Sequence, residues 1–329
     1  MELDALDKKI LAVLDEDARL AEAAIGKKVG TSKQVVRYRL NRLKEEGIVE
    51  NYYTMLDVGK LGFDSYYVFV QLTGLNLNEE NEIYKKILKL PHIAWLITGV
   101  GRWDAVLLFC SKTIAQFNEQ LEGLKRLFGK HLHEYTFTTL IKAEHVGYKF
   151  VRPSTQESLK TTPKNKIQIL DNIDKTILRT LNQSARMPVT ELSEITKHPL
   201  YTVHHRLKQL KKEKIIQGFR LKINVHKLGI QWHLLLIKFK SVSEERANRF
   251  IEYCKNNKYV YYVTNTVGLY NVMLDVHVKN TEEFRDFLFD IKNSFGDVIL
   301  LYESVVVFEE KILTYIPPIV LSGPDPGST

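Results

Sequence analysis

Apolar residues near the start of the chain recur every three or four positions: Leu6, Ile10, Leu11 and Leu14, then a second run from Leu20 to Val29. That spacing lays an apolar stripe along each of two short helices. A third run, TSKQVVRYRLNRLKEEGI at 31–48, keeps Val36, Leu40 and Leu43 on its stripe. Gly30 and Thr31 form the turn before it, and Ser32 stands where a helix cap is needed. After Gly47 the period becomes that of a strand in IVENYYTML. Three helices followed by a strand or wing predict a winged helix-turn-helix.

From Phe63 the pattern changes. FDSYYVFVQL reads as a strand, NEENEIYKKILKL as a helix, and HIAWLITG with DAVLLFC as two strands about a tight turn. TIAQFNEQLEGLKRLF is a helix in which Thr113 and Gln116 match a capping box, and HEYTFTTLI is a closing strand. The order βαββαβ predicts a ferredoxin-like sandwich, so the fold class is α+β.

The whole pattern then repeats. LDALDKKILAVLDEDAR from Leu3 recurs as LDNIDKTILRTLNQSAR from Leu170, an offset of 167, and residues 3–63 share 20 identities in 61 with residues 170–230. Chance gives roughly three or four for an ordinary composition. The offset also pairs Gly101 with Gly268, Phe117 with Phe284 and Tyr148 with Tyr315. The expected organisation is a winged helix-turn-helix at 1–56, a sandwich at 57–150, a Ser-, Thr-, Pro- and Lys-rich linker at 151–169, a second winged helix-turn-helix at 170–223, a second sandwich at 224–316, and a disordered tail at 317–329.

Charge sharpens the reading of the third helix. Lys33, Arg37, Arg39, Arg42 and Lys44 all precede its first acid, Glu45, and the chain carries a net charge of +8. With the apolar stripe inward, Gln34, Tyr38 and Asn41 point away from the core, Arg37 and Arg42 flank them, and Lys33 sits at the N-terminal end. Such groups read base edges and grip phosphates in a major groove. A basic helix face is most often merely solvated. Here it follows a short turn after another amphipathic helix, and no acid interrupts it. The candidate DNA contacts are therefore Ser32, Lys33, Gln34, Arg37, Tyr38, Arg39, Asn41 and Arg42. In the second copy they are Tyr201, Thr202, His204, His205, Arg206 and Lys208. That copy departs from the first where Gly30 becomes Lys197 and the capping Ser32 becomes Pro199.

Other chemistry is sparse. Cys110 and Cys254 form no CxxC spacing, so a reducing compartment is expected. No apolar run reaches the roughly 18 residues of a spanning helix, and the acidic N-terminus lacks signal-peptide order, so a soluble cytoplasmic protein is expected. His204 and His205 diverge by about 100° on a helix and cannot easily share an ion. His131 and His133 share a strand face without an evident third ligand. No metal or cofactor and no catalytic residue is expected.

At RLNRLKEEGIVENY, followed by DVGKLGF and TGVGRWDAVLL at the central hairpin, the chain resembles the Lrp/AsnC transcriptional regulators. The resemblance covers residues 3–150 and again 170–316, as if two such proteins were fused. It implies double-stranded DNA as partner, oligomerisation through the sandwich domains, and in many members an amino acid or other small effector. Gly101 and Asp104, with Gly268 and Asn271, match the family's effector region, although Asn271 lacks the charge and a hairpin glycine needs only its backbone freedom. Some proteins of this architecture look like siroheme decarboxylases, which would need His, Arg and Tyr groups gathered around a tetrapyrrole. An oligomerising co-regulator with weak DNA binding is a further alternative. The aliphatic third strands argue against base stacking on RNA and for sheet-to-sheet packing within one chain, an intramolecular pseudo-dimer, with homo-oligomers of whole chains beyond it.

Overall fold

Asp4 starts α1 (Ala5–Glu16) through a capping box with Asp7. α2 (Glu22–Val29) ends at Gly30, whose φ of 75° is the left-handed conformation that glycine adopts without strain. Ser32 Oγ accepts the Val35 N–H at 3.2 Å and begins α3 (Lys33–Glu45). The three apolar stripes meet, burying Ile10, Leu11, Leu14, Ile25, Val36, Leu40 and Leu43. After β1 (Val49–Leu56) come β2 (Asp64–Leu72), α4 (Leu77–Ile87), β3 (Ile93–Gly101), β4 (Ala105–Ser111), α5 (Ile114–Phe128) and β5 (Leu132–His145). The computed structural model describes residues 2–152, 159–161 and 167–322.

The second copy repeats the order with α6 (Asn172–Gln183), α7 (Val189–Thr196), α8 (Leu200–Lys212), β7 (Ile216–Ile223), β8 (Gln231–Phe239), α9 (Glu244–Asn256), β9 (Val260–Gly268), β10 (Val272–Val278), α10 (Thr281–Phe295) and β11 (Ile299–Leu313). Lys197 takes the place of Gly30 with a φ of 56°, left-handed without glycine, and Pro199 starts α8 with no side-chain cap.

One expectation is made specific and another needs correction. The strand or wing expected after the third helix of each unit is a strand, and its partner lies in the other copy. β1 pairs antiparallel with β7, from Val49↔Ile223 to Leu56↔Ile216, so the two helical units share one ribbon. Tyr52, Tyr53, Met55 and Leu56 are all buried, which a solvated wing would not allow. The tail is also ordered at its start: Pro318–Leu321 forms a short turn of 3₁₀-helix, Val320 and Leu321 are buried, and the Arg179 guanidinium donates to the Leu321 carbonyl at 2.8 Å. Residues 323–329 lie outside the described residues. So does most of the expected linker, of which 159–161 pair with β5 as a short strand, β6 (Leu159–Thr161).

The two sandwiches do more than pack face to face. Each has the sheet order expected of βαββαβ, β5-β2-β4-β3 and β11-β8-β10-β9, and the two sheets join at both edges into a closed ring of eight antiparallel strands. The joints are made by the long last strands. β5, 14 residues, pairs with β2 along 132–139 and then crosses to β9 along 138–145. β11, 15 residues, pairs with β8 along 299–307 and crosses to β3 along 305–313. Closure gives each of the eight strands a neighbour on both sides, so none is an edge strand along its whole length. Inside lie Tyr67, Phe69, Trp95, Trp103, Leu234, Leu236, Tyr270 and Met273, drawn from both copies. Trp103 Nε1 donates to the hydroxyl of Tyr270, its own counterpart at the 167 offset, at 2.7 Å. α4 with α5, and α9 with α10, cover the outer faces.

Candidate nucleic-acid interface

α3 presents Lys33, Gln34, Arg37, Tyr38 and Asn41 to solvent, with Tyr38 66% exposed. α8 presents Tyr201, 81% exposed, with His204, His205 and Lys208, while Thr202 is half-buried. The Tyr201 and His205 rings, one turn apart, stack with centroids 6.4 Å apart. Arg37 meets Glu22 at 3.0 Å, a solvent-exposed pair of the kind that holds a side chain only weakly. Ser32 is occupied as the cap of α3.

Arg39, Arg42 and Arg206 behave differently. Arg39 is ion-paired with Asp4 and, at 3.2 Å, with Asp7, and Arg42 reaches Asp7 at 2.5 Å. Asp7 is buried between them. In the second copy Arg206 meets Asp171 at 2.6 Å and Asp174 at 3.7 Å, where burial, reinforced by the Asp171 carboxylate, pushes the Asp174 carboxyl up to about 6. α3 carries no acid among its basic residues, but α1 folds its acids against them. These three arginines bind the recognition helix to the first helix of its own unit. The signal was present in the repeat: Asp4, Asp7 and Arg39 recur as Asp171, Asp174 and Arg206, while the outward positions all differ. Asp7→Ala should therefore cost about 1.5–3 kcal/mol of stability, as loss of charged hydrogen bonds does, without weakening DNA binding by the folded protein. Denaturant unfolding beside a gel shift measures both.

A second repeated arginine aligns the two readers. Arg19 donates to the carbonyls of Ala185 and Met187 at 2.6 and 2.7 Å, and its counterpart Arg186 donates to Leu20 at 3.0 Å. Each guanidinium ties down the loop after the first helix of the other unit. With the β1–β7 ribbon, these contacts hold α3 and α8 in one pseudo-symmetric body.

The effector candidates are partly consumed by the barrel. Gly101 and Gly268 sit where β3 meets β11 and β9 meets β5, with φ of 150° and 141°. A Cβ on Gly101 would collide with the Ser304 carbonyl, so close strand approach is what requires glycine there. Asp104 Oδ2 accepts the Leu72 N–H at 2.6 Å, and Asn271 Oδ1 accepts the equivalent Phe239 N–H at 2.8 Å. The carboxylate and the amide do the same structural work. Asp104 also borders a surface cavity of about 400 Å³ with Glu80, Asn81, Thr98 and Lys311. Among the described residues no group of three or more His, Cys, Asp or Glu could hold a metal ion, and no helix is long and apolar enough to cross a membrane.

A family model for winged helix-turn-helix DNA-binding matches residues 3–50 and again 170–217. The HTH-type transcriptional regulator FL11 of Pyrococcus furiosus is 31% identical over 151 residues, 45% of this chain and 97% of that protein. The regulatory protein AsnC of Haemophilus influenzae is 27% identical over 119 residues, 36% of this chain and 79% of that protein. Over nearly the full length, the fold is similar to that of the siroheme decarboxylase NirDL, with a TM-score of 0.62 at 15% identity, covering 95% of this chain and 94% of that one. At that identity the likeness is one of fold. The two matches to that model, one in each copy, and the relatives named as regulators place this chain in the Lrp/AsnC family of transcriptional regulators, with two copies of the family unit in one polypeptide.

Proposed function

We propose that the chain is a transcription regulator that grips one stretch of duplex DNA with two unlike recognition helices, α3 and α8, held at a set spacing by the β1–β7 ribbon. The observation that carries this is the pair of exposed outward faces on two helices of one body. A homodimer mirrors its two-fold axis in a palindromic site. Here Lys33, Gln34, Arg37, Tyr38 and Asn41 face one half-site, and Leu200, Tyr201, His204, His205 and Lys208 face the other, so the half-sites differ in sequence. Affinity should be electrostatic first. Replacing Lys33 and Arg37 together with Ala should weaken binding to every duplex and lower the salt slope by about 2. Replacing Tyr201 and His205 should relax preference in one half-site only. Unchanged affinity in the Lys33/Arg37 variant, or a consensus of two equal inverted half-sites under a single chain, rejects this reading.

An amino acid or similar effector would use the cavity beside Asp104, whose polar rim suits a zwitterion. The second copy, with Asn271, offers no carboxylate there. Exposed Val100, Val267 and Phe308 on the barrel surface favour association of whole chains. A catalytic reading of the siroheme-decarboxylase kind is the second possibility, because folding brings His145, Tyr148, Tyr261 and His277 together near the barrel. The charges oppose it. Four carboxyl residues, Glu50, Asp275, Glu309 and Glu310, and one lysine, Lys222, line the cavity there, and a polycarboxylated tetrapyrrole would be repelled. We therefore favour regulation over catalysis. An absorbance band acquired on mixing with iron-uroporphyrin would reverse that preference.

A further inference from the structure

One cavity lies apart from the DNA-facing helices and shares only Phe308 and Glu309 with the cavity beside Asp104. It lies between the mouth of the barrel and the β1–β7 ribbon, has a volume of about 390 Å³, and is walled by both copies. That volume is within the range of small-molecule sites. Its walls are aromatic: Trp95, Trp232, Tyr53, Tyr148, Tyr261 and Tyr262 all line it. Tyr148 stacks on Tyr261 at 4.2 Å, and Tyr261 stacks on His277 at 5.0 Å.

Two carboxylates are fixed in these walls by the two tryptophans. Trp232 Nε1 donates to Asp275 at 2.8 Å, and Trp95 Nε1 donates to Glu310 at 2.5 Å. Lys222 is shared between Glu310 at 2.7 Å and Glu50 at 3.0 Å, which leaves the carboxyls in excess. Burial holds the His277 imidazole down to about 3, so it adds no positive charge. An array of ring faces attracts a cation through the ring quadrupoles, and more strongly when water is excluded.

The site is also single. At the 167 offset, Trp232, Asp275 and His277 correspond to Ser65, Leu108 and Cys110, and Glu310 corresponds to Ala143. Both members of each pair line this one cavity, so a symmetric dimer would give it two equal halves. Here the acid-bearing positions have come to lie on one side, giving one asymmetric cavity per chain.

We propose that this cavity binds one small organic cation, an alkyl- or arylammonium compound, held by the aromatic walls and by Asp275 and Glu310. Burial, with repulsion from Glu310, pushes the Asp275 carboxyl up to about 7, and a bound cation supplies the counter-charge that the walls lack. Because β1 and β7 run directly from α3 and α8, the occupant sits under the ribbon that sets the spacing of the two readers.

The experiment follows quenching of Trp95 and Trp232 fluorescence in the full-length protein. The probes are benzyltrimethylammonium, choline, and the neutral isostere of choline, 3,3-dimethylbutan-1-ol. Iron-uroporphyrin serves as the polyanionic comparison. Choline should bind at least about tenfold more tightly than its neutral isostere. Asp275→Asn, which keeps an acceptor for Trp232, and Glu310→Gln should each weaken the cations about tenfold while leaving the alcohol unchanged. Circular dichroism of both variants checks that the fold is kept. Equal binding of choline and the alcohol overturns the proposal, as does cation affinity that survives both substitutions in folded protein. Binding of iron-uroporphyrin in place of the ammonium probes also overturns it.

Discussion

Residues 1–152 and 167–329, produced as separate chains and mixed, should form a one-to-one complex with the helix and strand content of the intact protein. Each half alone should self-associate or precipitate. The reason is the strand exchange. Cutting between the copies leaves β3 and β5 without their second partners, β11 and β9, and exposes long unpaired edges that recruit other strands. It also splits an apolar interior in which Phe69 and Trp103 pack on Tyr270 of the other half, and divides a helical core shared by Ile10, Leu14, Ile177 and Phe219. Joining the copies in one chain supplies effective concentration, near millimolar for a short connection, and the three-residue β6 adds only a short pairing to β5, so loss of residues 153–166 should leave the complex intact at micromolar protein. Sedimentation velocity gives the answer. Two stable, independent monomers would show that the closed barrel is not what joins the copies.

The second large effect is a pH-dependent gain in stability from Asp275→Asn. In the folded protein the Asp275 carboxyl sits at about 7, against an ordinary value of 3.8 in the unfolded chain. The wild-type stability that this group contributes is fully present below pH 3.8 and is lost as pH rises through about 7, because the folded state must then carry a buried anion. The asparagine variant has no such penalty. Its advantage over the parent should be nil at pH 4, grow between pH 4 and pH 7, and level off above at up to about 4 kcal/mol. Buried histidines such as His92, His233 and His277, all held low by burial, titrate alike in both proteins and cancel from the difference. Chemical unfolding of the ligand-free protein at pH 4 and pH 8 measures it. A constant difference between the two would mean that Asp275 ionises as an ordinary carboxylate. In the presence of a tightly bound ammonium compound the pH 8 advantage should shrink, since the cation offsets the same charge.

Much of this molecule was legible without coordinates. The three-residue and four-residue spacing of Leu, Ile and Val places every helix of both helix-turn-helix units, because a helix needs only local periodicity and a partner stripe. The duplication was equally plain, since Leu3–Arg19 recurs from Leu170 with most apolar positions kept. The outward faces of α3 and α8 followed from helical geometry once the seam at Val36, Leu40 and Leu43 was known. What the sequence left open depended on contacts between residues far apart in the chain. Arg39, Arg42 and Arg206 looked like DNA-facing charges because α3 has no acid in its basic stretch. Only the packing of α1 against it brought Asp7 between two guanidiniums. β1 read as a strand or wing without a partner, because strand periodicity does not name one, and the partner was β7, in the other copy. Gly101 and Asp104 match the family's effector region, and only the fold shows that the approach of β11 requires the glycine and that Asp104 accepts the Leu72 N–H at the end of β2. The aromatic cavity could not be read at all. Its tryptophans, tyrosines and carboxylates come from strands of both copies, and neither copy holds the set. Local patterning determines which residues turn inward, because that depends on neighbours three or four positions away. Which inward surfaces meet, and what they enclose, is decided by the closure of β5 onto β9 and of β11 onto β3.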